Sequence, residues 1–296
     1  MNYHHIYHAG NFADIFKHTI LCLCLEKFHE KPTPFFVLDT HAGIGKYNLC
    51  DEKSLKTFEA EEGIKKIFNQ PNFLDILPPR YLTILAKTNR CEIDELPEKL
   101  KTYAGSPIII KDYLRSQDRA IFAELNREDF AELKRHFAGN PKFSLTREDG
   151  FHLLSSKLPP LEKRGLVIID PAFEKDQELI SPDYEKTILA LKEGYKRFSH
   201  GTYLIWHPII DKAGEEKVLK NFYKEIAALP FQKIIHITFG IGKKHAEETK
   251  MSTCGMFVIN APWQLDERLG VILPKVLEVI GNGGGAGFET KIIRNN

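Results

Sequence analysis

The sequence has few cysteines, and none of them has the spacing of a metal site or a disulfide framework. The five are Cys22, Cys24, Cys50, Cys91 and Cys254; no two form a CxxC pair, and their number is odd. Small disulfide-stabilised domains carry even sets of closely spaced cysteines in oxidising compartments. We therefore expect free thiols, no bound metal and a cytoplasmic location.

Long apolar runs and a charge of one sign are also absent. No stretch approaches the roughly 20 apolar residues that a membrane-spanning helix needs. The first residues, MNYHHIYHAGNFAD, lack the basic start and apolar core of an export signal. With 41 basic and 40 acidic residues, the net charge is +1. We expect no membrane partner, and a nucleic-acid partner would have to be held by a local basic patch.

Apolar residues predict an alternation of helices and strands along most of the chain. The first helix is predicted at 12–29 with Asn11 as its N-cap, and the first strand at 35–40. Residues 51–104 are rich in lysine and glutamate, have helical apolar spacing and are interrupted by prolines, which predicts an inserted helical subdomain. Further helices are predicted at 107–117, 127–138, 150–157, 183–198, 214–228 and 265–280, and further strands at 119–125, 142–148, 165–170, 201–207, 233–239 and 255–260.

Apolar strands that alternate with helices predict an α/β fold, in which helices cover both faces of a mostly parallel sheet. Seven strands can be counted, and the last two follow each other without a helix, which predicts one antiparallel edge strand. The glycine-rich segment 281–288 lacks the Lys-Ser/Thr of a phosphate-binding loop and predicts a flexible C-terminal loop. The expected organisation is residues 1–50 and 105–296 as the main domain, with 51–104 inserted.

Polar residues follow the first two strands, at the edge where open parallel sheets bind ligands. Gly43 and Gly45 follow the first strand and allow a ligand to approach the backbone closely. The third glycine of a dinucleotide-binding loop is missing, because Asn48 occupies its position, and a purely structural turn is the alternative. Glu124 ends the second strand, where a carboxylate can accept both ribose hydroxyls of a nucleoside; a surface carboxylate is the alternative.

Asp149 and Gly150 follow the third strand. The Asp149 carboxylate can accept a hydrogen bond from an adenine amino group, and backbone N–H groups near Gly150 can meet the ring nitrogens. Asp149 is also a good N-cap for the helix predicted at 150–157. The two roles are compatible.

The fourth strand ends in Asp170-Pro171-Ala172-Phe173, which predicts methylation of a base. An adenine amino group is a poor nucleophile, because its lone pair is delocalised into the ring. A carboxylate and a backbone carbonyl that each accept one N–H can turn the lone pair toward a methyl donor, and the Pro171 ring fixes the chain that carries the carbonyl. Phe173 can stack on the base. A turn-forming Asp-Pro at a strand end is the alternative, but the glycine turn after the first strand and the acidic residues after the second and third strands favour function.

The N-terminal arm is rich in histidine and contains Tyr3. Imidazoles without a pattern of neighbouring carboxylates or thiolates are weak evidence of a metal site. We expect the arm to cover the cleft, with Tyr3 and Lys17 available to contact a nucleic acid.

With these residues considered, the chain resembles the RlmJ family of bacterial methyltransferases, which modify an adenine N6 of 23S ribosomal RNA. The resemblance extends over nearly the whole length. The similar segments are YHAGNFADIFKH (7–18), LDTHAGIGKY (38–47), AGSPIII (104–110), AELNREDF (123–130), REDGF (147–151), RGLVIIDP (164–171), EGYKRFSHGTYLIWHPI (193–209) and NAPW (260–263).

The resemblance implies a Rossmann-like class I methyltransferase fold and S-adenosylmethionine as the cofactor. It implies that the cofactor contacts His18, His41, Ser106, Glu124, Asp149, Gly150 and Asp170, in addition to the Gly43 turn. Asp170 would be the catalytic carboxylate and Tyr3 a contact to the RNA. We expect a monomer that acts on ribosomal RNA that is free of ribosomal proteins or only partly covered by them.

The chain departs from the family motif Asp-Pro-Pro-Tyr at Ala172 and Phe173. We expect activity to survive, because Asp170 and Pro171 supply both acceptors. Three other functions stay open. The first is a DNA adenine-N6 methyltransferase, which would use the same chemistry. The second is a connection with the use of external DNA, which has been described for relatives. The third is a catalytically weak nucleic-acid-binding protein, with which the change at Ala172 is compatible. The missing third glycine argues against a nicotinamide-dependent oxidoreductase.

Overall fold

The computed structural model describes residues 4–137, 139, 141–174, 181–210, 215–243 and 251–295. Within those ranges, none of the helices combines the length and the apolar character that crossing a bilayer requires.

The strands of the described chain are β1 (Phe36–Asp39), β2 (Lys46–Asn48), β3 (Thr102–Ala104), β4 (Arg119–Ala123), β5 (Phe143–Thr146), β6 (Gly165–Ile169), β7 (Thr202–Ile209), β8 (Lys233–Ile241), β9 (Thr253–Ile259) and β10 (Ala286–Asn295). The helices are α1 (Phe12–His29), α2 (Glu52–Thr57), α3 (Glu59–Glu62), α4 (Ile64–Phe68), α5 (Pro79–Asn89), α6 (Leu96–Lys99), α7 (Ser106–Tyr113), α8 (Arg127–Phe137), α9 (Gly150–Ser156), α10 (Asp183–Phe198), α11 (Glu215–Ala228) and α12 (Leu265–Ile280). Short 3₁₀ helices lie at His5–Tyr7, Phe73–Asp75 and Ile93–Glu95.

Eight strands form the main sheet in the order β10-β8-β9-β7-β6-β1-β4-β5. β1 pairs in parallel with both β4 and β6, and the parallel pairing continues from β4 to β5 and from β6 to β7. Alternate residues of β1 enter two separate cores, Val37 on one face and Phe36 and Leu38 on the other. The predicted α/β fold of the class I methyltransferase type, with helices on both faces, is confirmed.

Two details of the predicted sheet are wrong. It contains eight strands, whereas the sequence pattern predicts seven, because the glycine-rich segment leads into β10, which pairs antiparallel with β8. The run of glycines at 283–285 hides the strand that begins at Ala286. The other error concerns β9. It is antiparallel as expected, but it lies inside the sheet between β7 and β8, and β10 forms that edge.

Helix α1 is almost entirely buried. Its predicted N-cap is confirmed, since the Asn11 side chain accepts a hydrogen bond from the backbone N–H of Asp14 at 2.9 Å. Fifteen of its 18 residues are buried, because α5, α7 and α12 all pack against it. Helices that are apolar on all sides are buried in this way. α1 therefore holds its few polar side chains in the interior.

The segment predicted as an insertion contains α2 to α6 and also one strand that the sequence pattern does not predict. That strand, β3, pairs antiparallel with β2, with Tyr47 opposite Tyr103. The chain therefore leaves and re-enters the main sheet region at adjacent points. The division into domains stays a prediction.

Candidate active site

A cavity of about 520 Å³ lies at the carboxyl ends of β1, β4 and β6. The predicted site residues that line it are Lys17, His18, His41, Gly43, Ser106, Glu124, Asp149, Gly150, Asp170, Pro171 and Phe173. Parallel strands bring their carboxyl ends to one edge of the sheet, and α1 adds Lys17 and His18. Tyr3, the remaining predicted residue, lies outside the described residues.

Asp170, the residue after β6, is held by a lysine from α1. Its Oδ2 lies 2.5 Å from Nζ of Lys17, whose side chain is only 9% exposed. The same ammonium lies 3.1 Å from Oδ1 of Asp14. The predicted contact of Lys17 with RNA stays a prediction, and in this structure the lysine joins two carboxylates.

Asp14 is the most buried member of this group. Its carboxylate accepts hydrogen bonds from Nε2 of His5 and from the backbone N–H of Gly10, both at 2.9 Å. Burial opposes ionisation, but the neighbouring His5 and Lys17 outweigh it and keep the pKa of Asp14 well below its usual range. Asp14 is therefore a buried anion that fixes both the N-terminal arm and Lys17.

Asp39, at the end of β1, lies behind the cavity wall. It is fully buried, and Ser106, the first residue of α7, donates a hydrogen bond to its Oδ2 at 2.7 Å. Burial raises the pKa of Asp39 to about 7, and the nearby Asp170 adds to the rise. Ser106 is thus oriented by a carboxyl group that ionises near neutral pH.

Glu124, at the end of β4, closes the glycine turn. Its two oxygens accept backbone N–H groups from Gly43 (2.9 Å) and Asn126 (2.8 Å). Burial raises its pKa. Gly43 has a φ of +60°, and a Cβ at that position would lie 2.2 Å from the Tyr47 hydroxyl. The turn therefore requires glycine for both conformation and space.

Gly150 brings the turn after β5 against the turn after β1. A Cβ on Gly150 would lie 1.9 Å from the carbonyl oxygen of Thr40. The neighbouring Asp149 caps α9 by accepting the N–H of Phe151 at 3.0 Å. The capping role expected for Asp149 is confirmed, and its contact with a nucleoside stays a prediction.

Burial lowers the pKa of two histidines in the cavity wall, that of His41 to about 4. Nδ1 of His18 lies 2.7 Å from the Tyr103 hydroxyl, and burial lowers the pKa of His18 to about 3. Nδ1 of His41 lies 2.8 Å from Oγ1 of Thr40, which donates its only proton to the carbonyl of Ile168 at 2.7 Å. His41 must therefore donate through Nδ1, and its Nε2 is an acceptor.

Phe173 is held in an unusual backbone conformation. Its φ is +50°, and its N–H is bonded to Oδ2 of Asp183 at 3.1 Å. Its ring packs against Tyr184 and Trp206, with centroid distances of 4.7 and 5.9 Å, and the residue is only 7% exposed. Stacking of Phe173 on a base stays a prediction.

Sequence reasoning missed His5 and Asp14 as parts of the site. For Asp14 a signal existed, because Asp14 and Lys17 lie three residues apart in a largely apolar helix and so share one face. No comparable signal links His5 to Asp14, since the pairing depends on how the N-terminal arm folds back.

Comparisons with known proteins place the chain in a family. The model of the family described as "Ribosomal RNA large subunit methyltransferase D, RlmJ" matches residues 32–291. The ribosomal RNA large subunit methyltransferase J of Haemophilus influenzae is 37% identical over 280 residues, 95% of this chain and 94% of that protein. The Escherichia coli protein of the same name is 35% identical over 277 residues, 93% and 92% of the two chains.

A solved structure extends the similarity to three dimensions. The crystal structure of a Legionella pneumophila protein superposes with a TM-score of 0.81 at 29% identity, over 96% of this chain and 98% of that one. The matched range and the two curated relatives span nearly the whole sequence. The chain therefore belongs to the family of ribosomal RNA large subunit methyltransferases described as RlmJ.

Proposed function

We propose that the protein transfers a methyl group from S-adenosylmethionine to N6 of an adenine in 23S ribosomal RNA. The observation that carries this proposal is the position of the Asp170 carboxylate. It follows β6, is fixed by Lys17 at 2.5 Å, and shares one cavity with Glu124 and Asp149. Membership of a family of large-subunit ribosomal RNA methyltransferases supports the same substrate.

The residues of the cavity fit S-adenosylmethionine. Glu124 offers carboxylate oxygens beside the glycine turn, as a ribose requires, and Asp149 offers an acceptor for the adenine amino group. The wall of the cavity is rich in carboxylates, which complements a positively charged sulfonium. When bound, the cofactor supplies an electrophilic methyl group.

The chain's own contribution to the reaction is to position the amino group and to stabilise its charge. Asp170 and the Pro171 carbonyl would each accept one N–H of the adenine, so that the nitrogen lone pair is directed at the methyl group. As the new bond to nitrogen forms and the bond from the methyl group to sulfur breaks, the carboxylate of Asp170 would stabilise the nitrogen that becomes positive. The amino group would then lose one proton to solvent, which leaves N6-methyladenine and S-adenosylhomocysteine as the products. Lys17 keeps that carboxylate in place through its contacts with Asp170 and Asp14.

The adenine must leave its stack to reach Asp170, whose side chain is only 17% exposed. Base extrusion costs least at an unpaired or loosely structured position. We therefore propose that the substrate is RNA free of, or only partly covered by, ribosomal proteins.

The test is transfer of tritiated methyl groups to deproteinised 23S ribosomal RNA from Escherichia coli cells that lack the curated relative. We expect N6-methyladenosine after nuclease digestion, and a loss of at least about 100-fold with Asp170→Asn. Asp266→Asn, an exposed position on α12, is the matched control and should behave as wild type. Absence of Asp170-dependent transfer would overturn the proposal, and transfer to DNA of the same sequence in preference to RNA would overturn the substrate class.

A further inference from the structure

Phe58 is an exposed aromatic residue on the wall of the active-site cavity. It is 61% exposed and lies between α2 and α3. Nine large hydrophobic side chains are exposed among the described residues, and only Phe58 and Leu125 of these line the cavity. Of these two, only Phe58 offers a flat aromatic face.

The backbone of Phe58 is strained. Its φ and ψ are +57° and +15°, the left-handed region that bulky residues rarely adopt. Such conformations persist where the surroundings determine them, and they cluster at functional sites. The Phe58 side chain buries little apolar surface, so its packing does not account for the strained backbone conformation.

The neighbours of Phe58 hold it in this conformation. Oγ1 of Thr57 donates to the carbonyl of Tyr7 at 2.5 Å. The Glu59 carboxylate accepts from Nδ1 of His8 at 3.0 Å and from Nδ2 of Asn11 at 2.9 Å. Both sides of Phe58 are thereby attached to the N-terminal arm and the start of α1, the same elements that place Lys17 beside Asp170.

The exposed ring of Phe58 and the acidic side chains near it favour an uncharged aromatic ligand. Glu59 and Glu62 follow Phe58 closely in the chain and also line the cavity, and their carboxylates disfavour a phosphate group beside it. A nucleobase has no charge and presents a π-face, on which aromatic side chains of nucleic-acid-binding proteins stack. Phe58 is much more exposed than Asp170, so it meets a part of the substrate nearer to solvent than the reacting adenine.

The geometry points to Phe58 as the stacking platform for a base next to the methylated adenine. This inference rests on the proposed function, because it takes RNA as the substrate. Phe58 thereby acts as a positioning residue that holds the flanking part of the RNA beside the site. It contributes to RNA affinity and leaves the binding of the cofactor unchanged.

The experiment compares four variants, Phe58→Ala, Phe58→Leu, Phe58→Trp and Phe58→Gly, on the deproteinised 23S ribosomal RNA described above. The Ala, Leu and Gly variants should weaken RNA binding and raise the KM for RNA roughly tenfold, the effect of losing one base–aromatic stack. Phe58→Trp should retain wild-type affinity. Binding of S-adenosylhomocysteine, measured by calorimetry, and kcat at saturating RNA should not change. Leu161→Ala, which removes an 88% exposed side chain far from the cavity lining, is the control.

Thermal unfolding separates a functional role from a structural one. Glycine adopts the left-handed conformation without strain, so Phe58→Gly should have a Tm no lower than that of wild type while its RNA affinity falls. A lower Tm together with unchanged RNA affinity would assign Phe58 to packing and overturn the inference. Wild-type affinity in Phe58→Leu would also overturn it, since a contact with leucine needs no π-face.

The same measurements distinguish this inference from the proposed function. If wild type methylates the RNA and all Phe58 variants equal it in KM and affinity, only the role of Phe58 is wrong. If wild type binds the RNA without methylating it, the proposed function fails, and the affinities of the variants still decide the role of Phe58. If wild type binds no RNA, both fail.

Discussion

The ammonium of Lys17 lies 2.5 Å from Oδ2 of Asp170, although the two residues are 153 positions apart in the chain. Lys17 belongs to α1 and Asp170 follows β6. The packing of α1 across the sheet is therefore a condition for the site, and Lys17 couples the carboxylate that we propose to be catalytic to the buried Asp14.

We expect Lys17→Met to lower kcat by about 100-fold or more, because it leaves Asp170 without the cation that fixes it. Lys17 is also one of the groups that lower the pKa of Asp14. The loss of Lys17 raises the pKa of Asp14. On acidification, the activity that remains in Lys17→Met should therefore be lost at a higher pH than the activity of wild type. The measurement is kcat over a pH series with the ribosomal RNA substrate.

Lys17→Arg retains the positive charge and should keep more activity than the methionine variant. Lys27→Met removes a lysine of the same helix that pairs with Glu30, and it should behave as wild type. Equal activities of Lys17→Met and Lys27→Met would show that the contact with Asp170 has no role in turnover.

Glu124→Gln should weaken binding of S-adenosylhomocysteine roughly tenfold or more. Both carboxylate oxygens of Glu124 accept backbone N–H groups, from Gly43 and Asn126. The amide NH₂ of glutamine would face one of these donors, and the group would also lose the charge that strengthens bonds to ribose hydroxyls. Calorimetric titration measures the change. Glu132→Gln on α8, where the carboxylate pairs with Arg135 at the surface, is the control, and equal affinities of the two variants would contradict the assignment.

The sequence predicts the parts of the site that depend on local pattern. Parallel strands end at one edge, so their order in the chain is enough to group Gly43, Glu124, Asp149 and Asp170. The ion pair of Lys17 could not be predicted, because it depends on tertiary packing over a long sequence separation. β10 could not be predicted for a different reason. The glycines before and within it obscure the alternation of apolar and polar residues that is typical of an edge strand covered on one face.

Gly150→Ala should destabilise the protein by about 1–3 kcal/mol, the usual cost of overpacking. The added Cβ would lie 1.9 Å from the carbonyl oxygen of Thr40, so the turns after β1 and β5 must separate. Because these turns line the cavity, affinity for S-adenosylhomocysteine should fall as well. Urea unfolding and calorimetry measure the two effects.

Gly270→Ala is the matched control for this substitution. Gly270 lies within α12, and a Cβ there would meet nothing within 4 Å. Alanine is the better helix former, so this variant should gain about 0.5–1 kcal/mol. If Gly150→Ala were as stable as Gly270→Ala, the close contact with Thr40 would have no energetic consequence.

A buried pair of histidines outside the cavity should make stability fall steeply in mild acid. Nε2 of His207 lies 3.0 Å from Nε2 of His236. Burial lowers the pKa of His207 to about 3 and that of His236 to about 4, whereas an unfolded chain binds these protons near pH 6.5. As the pH falls from about 6.5 toward 4, the unfolded state takes up protons that the folded state does not, and the free energy of unfolding decreases.

Each such histidine contributes a slope of about 1.4 kcal/mol per pH unit once the unfolded imidazole is protonated. His236→Gln removes one of them, so the slope of unfolding free energy against pH between 5.5 and 4.5, about the middle of that range, should fall by this amount. Leu161→Ala, which removes an 88% exposed side chain without a titratable group, should leave the slope unchanged. Urea unfolding at each pH provides the comparison. Identical slopes for wild type and His236→Gln would mean that His236 binds a proton as readily in the folded protein as in the unfolded chain, and that its burial has no effect on its protonation.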